Sequence, residues 1–360
     1  MRNDDDMFRA SILSGLALAV CLASCTNAQV FPAQAVRAPA LVRRPLTDTL
    51  PLHHVVLDTY WPNQMIVARD GSTWYSVFRH AAIVRIGSNG KLHEWTVKLP
   101  NTVVQFLAEG LNGSIWFEYL GDGIHQSCRS GIGRIVKGVI TLFKKPCVIS
   151  PGGIAVGRDG RLYVVDQAAG TVDAYNARGW VASYPVPPKH GWSSPDYMTA
   201  GPDGNLWISS DHFIVRMDLQ GHTAAFRVAQ DGDPAPFIPH EITAGADGNV
   251  WFNAVQANGN GLAVERITPK GHITRFLIDA PTVPFGLAAG PQRSVWFIDS
   301  AAPNTVGAVS PTGKVTLYTA TGPDYPLALW AIATSANGAL EFGGELDKPK
   351  QREFFVASAN

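Results

Sequence analysis

The chain repeats one short phrase seven times, a glycine-rich turn followed by an apolar pair that is usually built on tryptophan. The copies read DGSTWY, NGSIWF, DGRLYV, DGNLWI, DGNVWF, QRSVWF and NGALEF. Their key positions are Trp74, Trp116, Tyr163, Trp207, Trp251, Trp296 and Glu341, at steps of 42, 47, 44, 44, 45 and 45 residues. A fixed period of this size, with about four short strand patterns in each unit, predicts a radial array of small sheets.

Alignment on the tryptophan position predicts how each unit is built. Five of the seven copies carry proline twelve residues earlier, and the residue nine positions earlier is always apolar, as in a tightly packed inner strand. The Asp-Gly turn then leads into the tryptophan strand, and two further strand patterns follow. We therefore predict an all-β fold, a seven-bladed β-propeller of four-stranded antiparallel blades over residues 51–360. The aromatic residue packs between blades, and Asp-Gly-Asn serves the turn rather than calcium.

The two ends of the predicted propeller complement each other. After Glu341, one further convincing strand pattern remains, from Arg352 to Ala357, so the last unit lacks its outer strand. A strand pattern from His54 to Asp58 precedes the first unit and has no blade of its own. The N-terminal strand is therefore predicted to complete the C-terminal blade, which closes the ring and removes an open sheet edge.

The first 25 residues have the pattern of an export signal. Arg9 precedes an apolar stretch, residues 12–23, that is too short to span a bilayer. Leu-Ala-Ser-Cys, ending at Cys25, resembles the lipobox of bacterial lipoproteins and predicts a lipid-anchored protein of the cell envelope, in the periplasm or at the outer membrane. An ordinary signal peptide cut near Ala28 is the alternative. Residues 26–50, rich in proline, alanine and polar groups, predict a flexible tether.

Charge limits the kinds of partner that the chain can bind, and two cysteines indicate a disulfide. The chain has 29 basic and 29 acidic residues and no basic run, which disfavours a nucleic-acid partner. The lipid anchor is then the one expected contact with the membrane. We expect a monomer. Cys128 and Cys147 flank two strand patterns joined at Lys137-Gly138, and antiparallel pairing would place them opposite each other. A disulfide is predicted in an exported protein, and metal binding is the weaker reading without a CxxC or a nearby histidine pair.

The residues that follow the aligned prolines predict a site. They start the inner strands, so seven of them converge on the propeller axis and form a concave mouth. In blade order they are Asn63, Gln105, Gly152, Asp196, His240, Phe285 and Trp330, with Gln64, Phe106, Tyr197 and Glu241 adjacent.

Repeats such as PHEITAGADGNVWF followed by VERITPKGHITRFLI resemble those of virginiamycin B lyase and its relatives, from Leu52 onward. The resemblance implies a seven-bladed propeller. It also implies a lyase with tyrosine at the mouth of blade one and histidines in blades six and seven, the last acting as general base beside glutamates that hold magnesium. Here those three positions are Asn63, Phe285 and Trp330, and Glu345 alone matches a metal-binding glutamate. The resemblance therefore implies the fold without the base that removes a carbon-bound proton.

Two classes of function follow. One is an envelope module that binds a small molecule, glycan or protein at the mouth, through Asn63, Gln105, Asp196, Tyr197, His240, Phe285 and Trp330. The other is a metal-assisted lyase or lactonase-type enzyme with a rearranged site, in which Glu241 and Glu345 are candidate ligands of a divalent metal, magnesium or calcium. Asp196 and His240 are read either as part of an acid/base or metal cluster or as a polar rim paired across neighbouring blades.

Overall fold

The structure is a ring of β-sheets in the order of the chain. The computed structural model describes residues 49–57, 61–77, 80–121, 130–143, 151–187, 195–228, 236–257, 262–278, 282, 284–302, 304–321, 327–348 and 351–359. Within these residues, no helix has the length and apolar character needed to cross a membrane.

The strands lie in seven sheets that correspond to the seven repeats. In chain order, the first are β1 (Thr49–Pro51), β2 (His53–Leu57), β3 (Pro62–Val67), β4 (Thr73–Val77), β5 (Ala82–Ile86), β6 (Leu92–Thr96), β7 (Thr102–Glu109), β8 (Ile115–Gly121), β9 (Gly131–Val136), β10 (Val139–Phe143), β11 (Pro151–Val156), β12 (Leu162–Asp166), β13 (Thr171–Asn176) and β14 (Gly179–Pro185).

Blades four to seven contain the remaining strands, and a short 3₁₀ helix, Pro291–Arg293, interrupts blade six. They are β15 (Pro195–Ala200), β16 (Leu206–Ser210), β17 (Phe213–Met217), β18 (Thr223–Arg227), β19 (Phe237–Ala244), β20 (Val250–Gln256), β21 (Leu262–Ile267), β22 (Ile273–Ile278), β23 (Pro284–Ala289), β24 (Val295–Asp299), β25 (Thr305–Val309), β26 (Val315–Thr321), β27 (Leu327–Thr334), β28 (Leu340–Lys348) and β29 (Gln351–Ala359). The innermost strands, which carry the mouth residues, are β3, β7, β11, β15, β19, β23 and β27.

The ring closes as the sequence predicts. Blade seven has the order β2-β29-β28-β27, so the strand before the first repeat is the outer strand of the last blade. Its antiparallel register runs from His53 opposite Ser358 to Leu57 opposite Phe354. The predicted seven-bladed propeller and its closure are therefore confirmed.

Blade six differs from the predicted four-stranded sheet because β1 adds a fifth strand. This strand pairs in parallel with β26, with Thr49 opposite Thr319. Leu50 is buried in the apolar cluster between blades six and seven, and the Leu52 amide donates to the Thr321 carbonyl at 2.9 Å. The ordered sheet therefore begins inside the segment predicted as a tether. The chain then joins the edge of blade six to the edge of blade seven.

The repeated tryptophan packs between adjacent blades. In blade five, Trp251 is fully buried and stacks on Phe276 with ring centres 5.5 Å apart. Its Nε1 donates to Asp247 Oδ1 at 3.0 Å, which ties the ring to the Asp-Gly-Asn turn. The Arg266 guanidinium lies over the same ring and donates to the Pro311 carbonyl of blade six at 2.7 Å. Burial of such a ring stabilises the fold by about 2 to 3 kcal/mol.

This arrangement of tryptophan, aromatic residue and arginine recurs around the ring. The corresponding sets are Trp74 with Trp95 and Arg85, Trp116 with Phe143 and Arg134, and Trp207 with Phe226 and Arg216. In each of these blades, an aromatic residue and an arginine of the same blade thus lie against the indole ring of the tryptophan.

Candidate ligand site at the channel mouth

The mouth residues of blades one to five lie in β-bulges. In blade one, Asn63 and Gln64 of β3 together oppose the single residue Ser76 of β4. The equivalent bulges hold Gln105, Gly152, Asp196 and His240. A bulge bends the strand and re-aims the side chains it carries, and bulges are frequent beside functional sites. The bulges of blades one, two, four and five therefore re-aim polar side chains, whereas blade three carries glycine at this position.

The residue opposite the bulge holds it in place. Ser76 Oγ accepts the Gln64 amide at 3.3 Å and donates to the Gln105 carbonyl of the next blade at 2.7 Å. In blade five, Asn253 Nδ2 donates to the Pro284 carbonyl of the next blade at 3.0 Å. These bonds satisfy backbone groups that the broken ladder leaves open and link neighbouring inner strands.

The structure brings Asp196 and His240 together. Asp196 Oδ2 lies 3.8 Å from His240 Nδ1, and the two side chains are 35% and 37% exposed. Gln167 Nε2 donates to Asp196 Oδ1 at 2.7 Å. These three side chains from blades three, four and five form a polar rim that a ligand in the mouth can reach.

Glu241 has a different surrounding from its neighbour His240. Its carboxylate accepts backbone amides of Gly286 and Leu287 in blade six, while Oε2 is buried without a hydrogen-bond partner. Burial raises the pKa of Glu241 to about 7, against the opposing effect of those amides. Gln64 makes an equivalent contact between blades one and two, where its Oε1 accepts the Leu107 amide at 2.7 Å. Glu241 therefore acts first as a link between blades.

Tyr197 is enclosed next to this rim. Burial, and then the charges of Glu241 and Asp196, raise the pKa of its hydroxyl. Its ring meets Phe106 of blade two edge-on, with ring centres 5.9 Å apart. This contact spans blade three because Gly152 and Gly153 leave room, and a Cβ at either glycine would collide with the backbone of β15.

Glu118 lies beside the mouth bulge of blade two and was not singled out from the sequence. It opposes the Gln105–Phe106 bulge, is completely buried, and has no hydrogen-bond partner at either carboxylate oxygen. Burial raises the pKa of Glu118 well above its usual range, and the charge of Asp166 adds to the shift. The available signal was a glutamate two residues after Trp116, where other copies carry serine, valine, asparagine, isoleucine or glycine.

Two more buried acids lie in blade three, of which Asp166 acts on Glu118 and Asp173 lies near Asp166. Asp166 Oδ1 accepts the Ala169 amide at 3.1 Å, and Asp173 accepts the Ser183 hydroxyl. Burial raises the pKa of Asp173, and the charge of Asp166 contributes. Burial thus disfavours the ionised forms of Glu118 and Asp173.

The other side of the mouth is aromatic. Trp330 is the single bulged residue of blade seven, and its ring centre lies 5.4 Å from that of Trp61 at a tilt of 54°. In blade six, Phe285 is paired with Ile298 and packs against the apolar cluster between blades six and seven. The bulge has moved to Gly286, whose φ of 59° suits glycine. Trp330 is therefore the aromatic residue that the bulge re-aims.

The predicted metal candidates do not form one site. Glu345 is buried on β28 opposite Ala328, whereas Glu241 links blades five and six. In the part of the chain that the structure describes, no group of three or more histidine, cysteine, aspartate or glutamate side chains is arranged to hold a metal ion. The described residues thus do not fit a magnesium or calcium ion at these glutamates.

Some predicted features lie outside the described residues. They are the export signal with Cys25, the tether up to residue 48, and the proposed disulfide partners Cys128 and Cys147.

Comparison with known proteins identifies the family. A sequence profile of the Virginiamycin B lyase family matches residues 52–348. A streptogramin B lyase structure superposes with a TM-score of 0.68 at 24% identity, covering 85% of this chain and 96% of that one. Virginiamycin B lyase from Staphylococcus aureus superposes with a TM-score of 0.68 at 23% identity, covering 86% of this chain and 100% of that one.

A catalytically inactive variant of the Staphylococcus aureus enzyme with quinupristin gives a TM-score of 0.69 at 24% identity, over 86% of this chain and 99% of that one. The comparison with curated proteins found no match. Because the profile covers most of the chain, the protein belongs to the virginiamycin B lyase family.

Proposed function

We propose that this protein binds a ring-containing small molecule or glycan at the channel mouth and does not carry out lyase chemistry. The observation that carries the proposal is Trp330 in the mouth bulge of blade seven, where the family resemblance implies the general-base histidine; Phe285 stands at the aligned sequence position of blade six. Elimination requires a group that removes a carbon-bound proton and another that stabilises the resulting charge. Neither aromatic side chain has a group that accepts a proton at neutral pH.

The shape of the mouth supports binding. Trp330 and Trp61 form an apolar wall on which a ring can stack. Across the mouth, Asp196, His240 and Gln167 offer donors and acceptors that can fix the orientation of the ring. A few convergent polar groups beside an aromatic wall are typical of small-molecule sites. A protein partner that presents an aromatic or cyclic group would meet the same surface.

The proposal places this activity in the bacterial cell envelope. The lipobox-like sequence that ends at Cys25, followed by the segment rich in proline and alanine, supports a lipid-anchored exported protein. A lipid anchor would hold the protein at the membrane without a basic surface patch. The balanced charge of the chain is in keeping with this.

A lyase or lactonase with a rearranged site is the second candidate. The observation that favours it is Glu241, because a carboxyl whose pKa is raised to about 7 is suited to proton transfer at neutral pH. Its bonds to the backbone of blade six make it a poor match to this role unless the link between the blades opens.

Isothermal titration with quinupristin and with chitotetraose tests binding at the mouth. Removal of the wall in Trp330→Ala should weaken binding of whichever probe is bound by at least about tenfold, the usual effect of losing a central aromatic contact. Trp180→Ala is the matched control, because Trp180 is 45% exposed on the outer strand of blade three. Binding of neither probe, or equal loss in the two variants, would contradict the proposal.

A further inference from the structure

A cleft between blades six and seven lies apart from the mouth. It has a volume of about 320 Å³ and is lined by the stacked rings of Trp296 and Tyr318, by Leu340, and by the polar residues Gln292 and Lys314. The volume is at the small end of the roughly 300–1,000 Å³ found for ligand pockets.

The cleft exists because blade six lacks the arginine of the repeat. In blade five, Arg266 pairs with Trp251 across the strands and lies over the indole ring. The equivalent partner of Trp296 is Ala308, whose side chain leaves that space open. Leu50 of β1 lines the edge of the opening.

The same blade also lacks the acceptor for the indole. In blades four and five, the Nε1 of the tryptophan donates to an aspartate of the turn, as Trp251 does to Asp247 at 3.0 Å. In blade six, Gln292 replaces that aspartate. Trp296 is only 7% exposed, and its Nε1 is buried without a hydrogen-bond partner. A buried donor without an acceptor favours a bound acceptor atom.

The charge of the cleft defines the acceptor. The described residues that line it include Lys314 and the hydroxyl residues Ser294, Ser310 and Thr316 but no aspartate or glutamate. In blade five, by contrast, Asp247 Oδ2 lies 3.7 Å from Arg266. Compared with blade five, the cleft thus lacks both the arginine and the aspartate that pairs with it. It retains hydrogen-bond donors and one lysine.

We propose that this cleft binds a small planar aromatic carboxylate. The ring occupies the space over Trp296 that an arginine fills in blades one, two, four and five. Its carboxylate accepts a hydrogen bond from Trp296 Nε1 and faces Lys314. This site is independent of the channel mouth and of the function proposed for it.

Indole-3-acetate and benzoate are the probes, titrated against the full chain by calorimetry and by the ¹H–¹⁵N spectrum of the tryptophan indoles. We expect saturable binding that shifts the Trp296 indole signal, assigned from its loss in Trp296→Phe. Ala308→Arg restores the side chain found in other blades and should abolish binding. Lys314→Ala, at an exposed position, should weaken binding by about tenfold.

Trp180→Ala, on the outer strand of blade three and away from both the cleft and the mouth, is the control and should bind both probes as the unaltered protein does. Neutral indole should bind more weakly than indole-3-acetate. Absence of saturable binding by either carboxylate, or unchanged binding in both Ala308→Arg and Lys314→Ala, would overturn the proposal.

Discussion

Replacement of Glu118 by glutamine should remove a large part of the pH dependence of stability. In the folded protein, this side chain is fully buried, has no hydrogen-bond partner and faces Asp166, so its pKa is raised well above the usual value of 4.5. In the unfolded chain, the same carboxyl ionises near that usual value. Between the two pKa values, the folded state holds one more proton than the unfolded state.

The sign and size of the effect follow from this proton difference. Stability contributed by protonated Glu118 is complete below about pH 4.5, falls as pH rises between the two pKa values, and is lost above the folded one. Within that interval, the free energy of unfolding falls by about 1.4 kcal/mol for each pH unit. That is a large fraction of the roughly 5–15 kcal/mol that stabilises a typical domain.

Urea unfolding of the wild type and of Glu118→Gln at intervals from pH 5 to pH 8 measures this slope. Glutamine has nearly the same shape and no charge, so the variant should lose the Glu118 contribution to the slope and gain relative stability at high pH. Glu94→Gln, at an exposed glutamate of β6, is the matched control and should leave the slope unchanged. Equal slopes in wild type and Glu118→Gln would refute the reasoning.

Three further predictions concern the framework. Trp251→Phe should destabilise the fold by about 1–2 kcal/mol more than Trp296→Phe in urea unfolding, because only Trp251 Nε1 has an acceptor, Asp247; equal losses would contradict this. Deletion of residues 49–57 should lower the melting temperature of the whole domain in one cooperative step, because β2 completes blade seven and β1 covers the edge of blade six, and an unchanged melting temperature would exclude that role. Intact mass of protein from membranes should show lipid at Cys25 and the loss of two hydrogens for a Cys128–Cys147 bond, whereas an N-terminus at Gln29 or two free thiols would contradict the respective part.

Much of the fold could be predicted because each repeat contains its own turn and strand signals. The turn before each key position and the apolar residue nine positions earlier locate two strands of every blade, and the unpaired pattern at His54 locates the closure. The strand β1 was not predictable, because three residues in a proline-rich segment show no alternation. Its place depends on the edge of β26 and on a pocket for Leu50.

The site was predicted less completely, for reasons of backbone geometry. Counting residues from the proline placed Asp196 and His240 correctly beside each other, because their blades share the same bulge. The same count treats Phe285 as equivalent, although Gly286 shifts the bulge of blade six by one residue. Glu118 was missed because it belongs to the second strand, and its place opposite the bulge is visible only in three dimensions.

Incubation of the purified full chain with magnesium and quinupristin, followed by chromatography and mass spectrometry, tests the central claim. Elimination would give a ring-opened isomer of unchanged mass, whereas hydrolysis would add the mass of one water molecule. Virginiamycin B lyase from Staphylococcus aureus serves as the positive control. With Phe285 and Trp330 in place of the implied histidines, we expect quinupristin to be recovered intact. A ring-opened isomer would contradict the loss of lyase chemistry, and a product with added water that disappears in Glu241→Gln would establish the lactonase-type alternative instead.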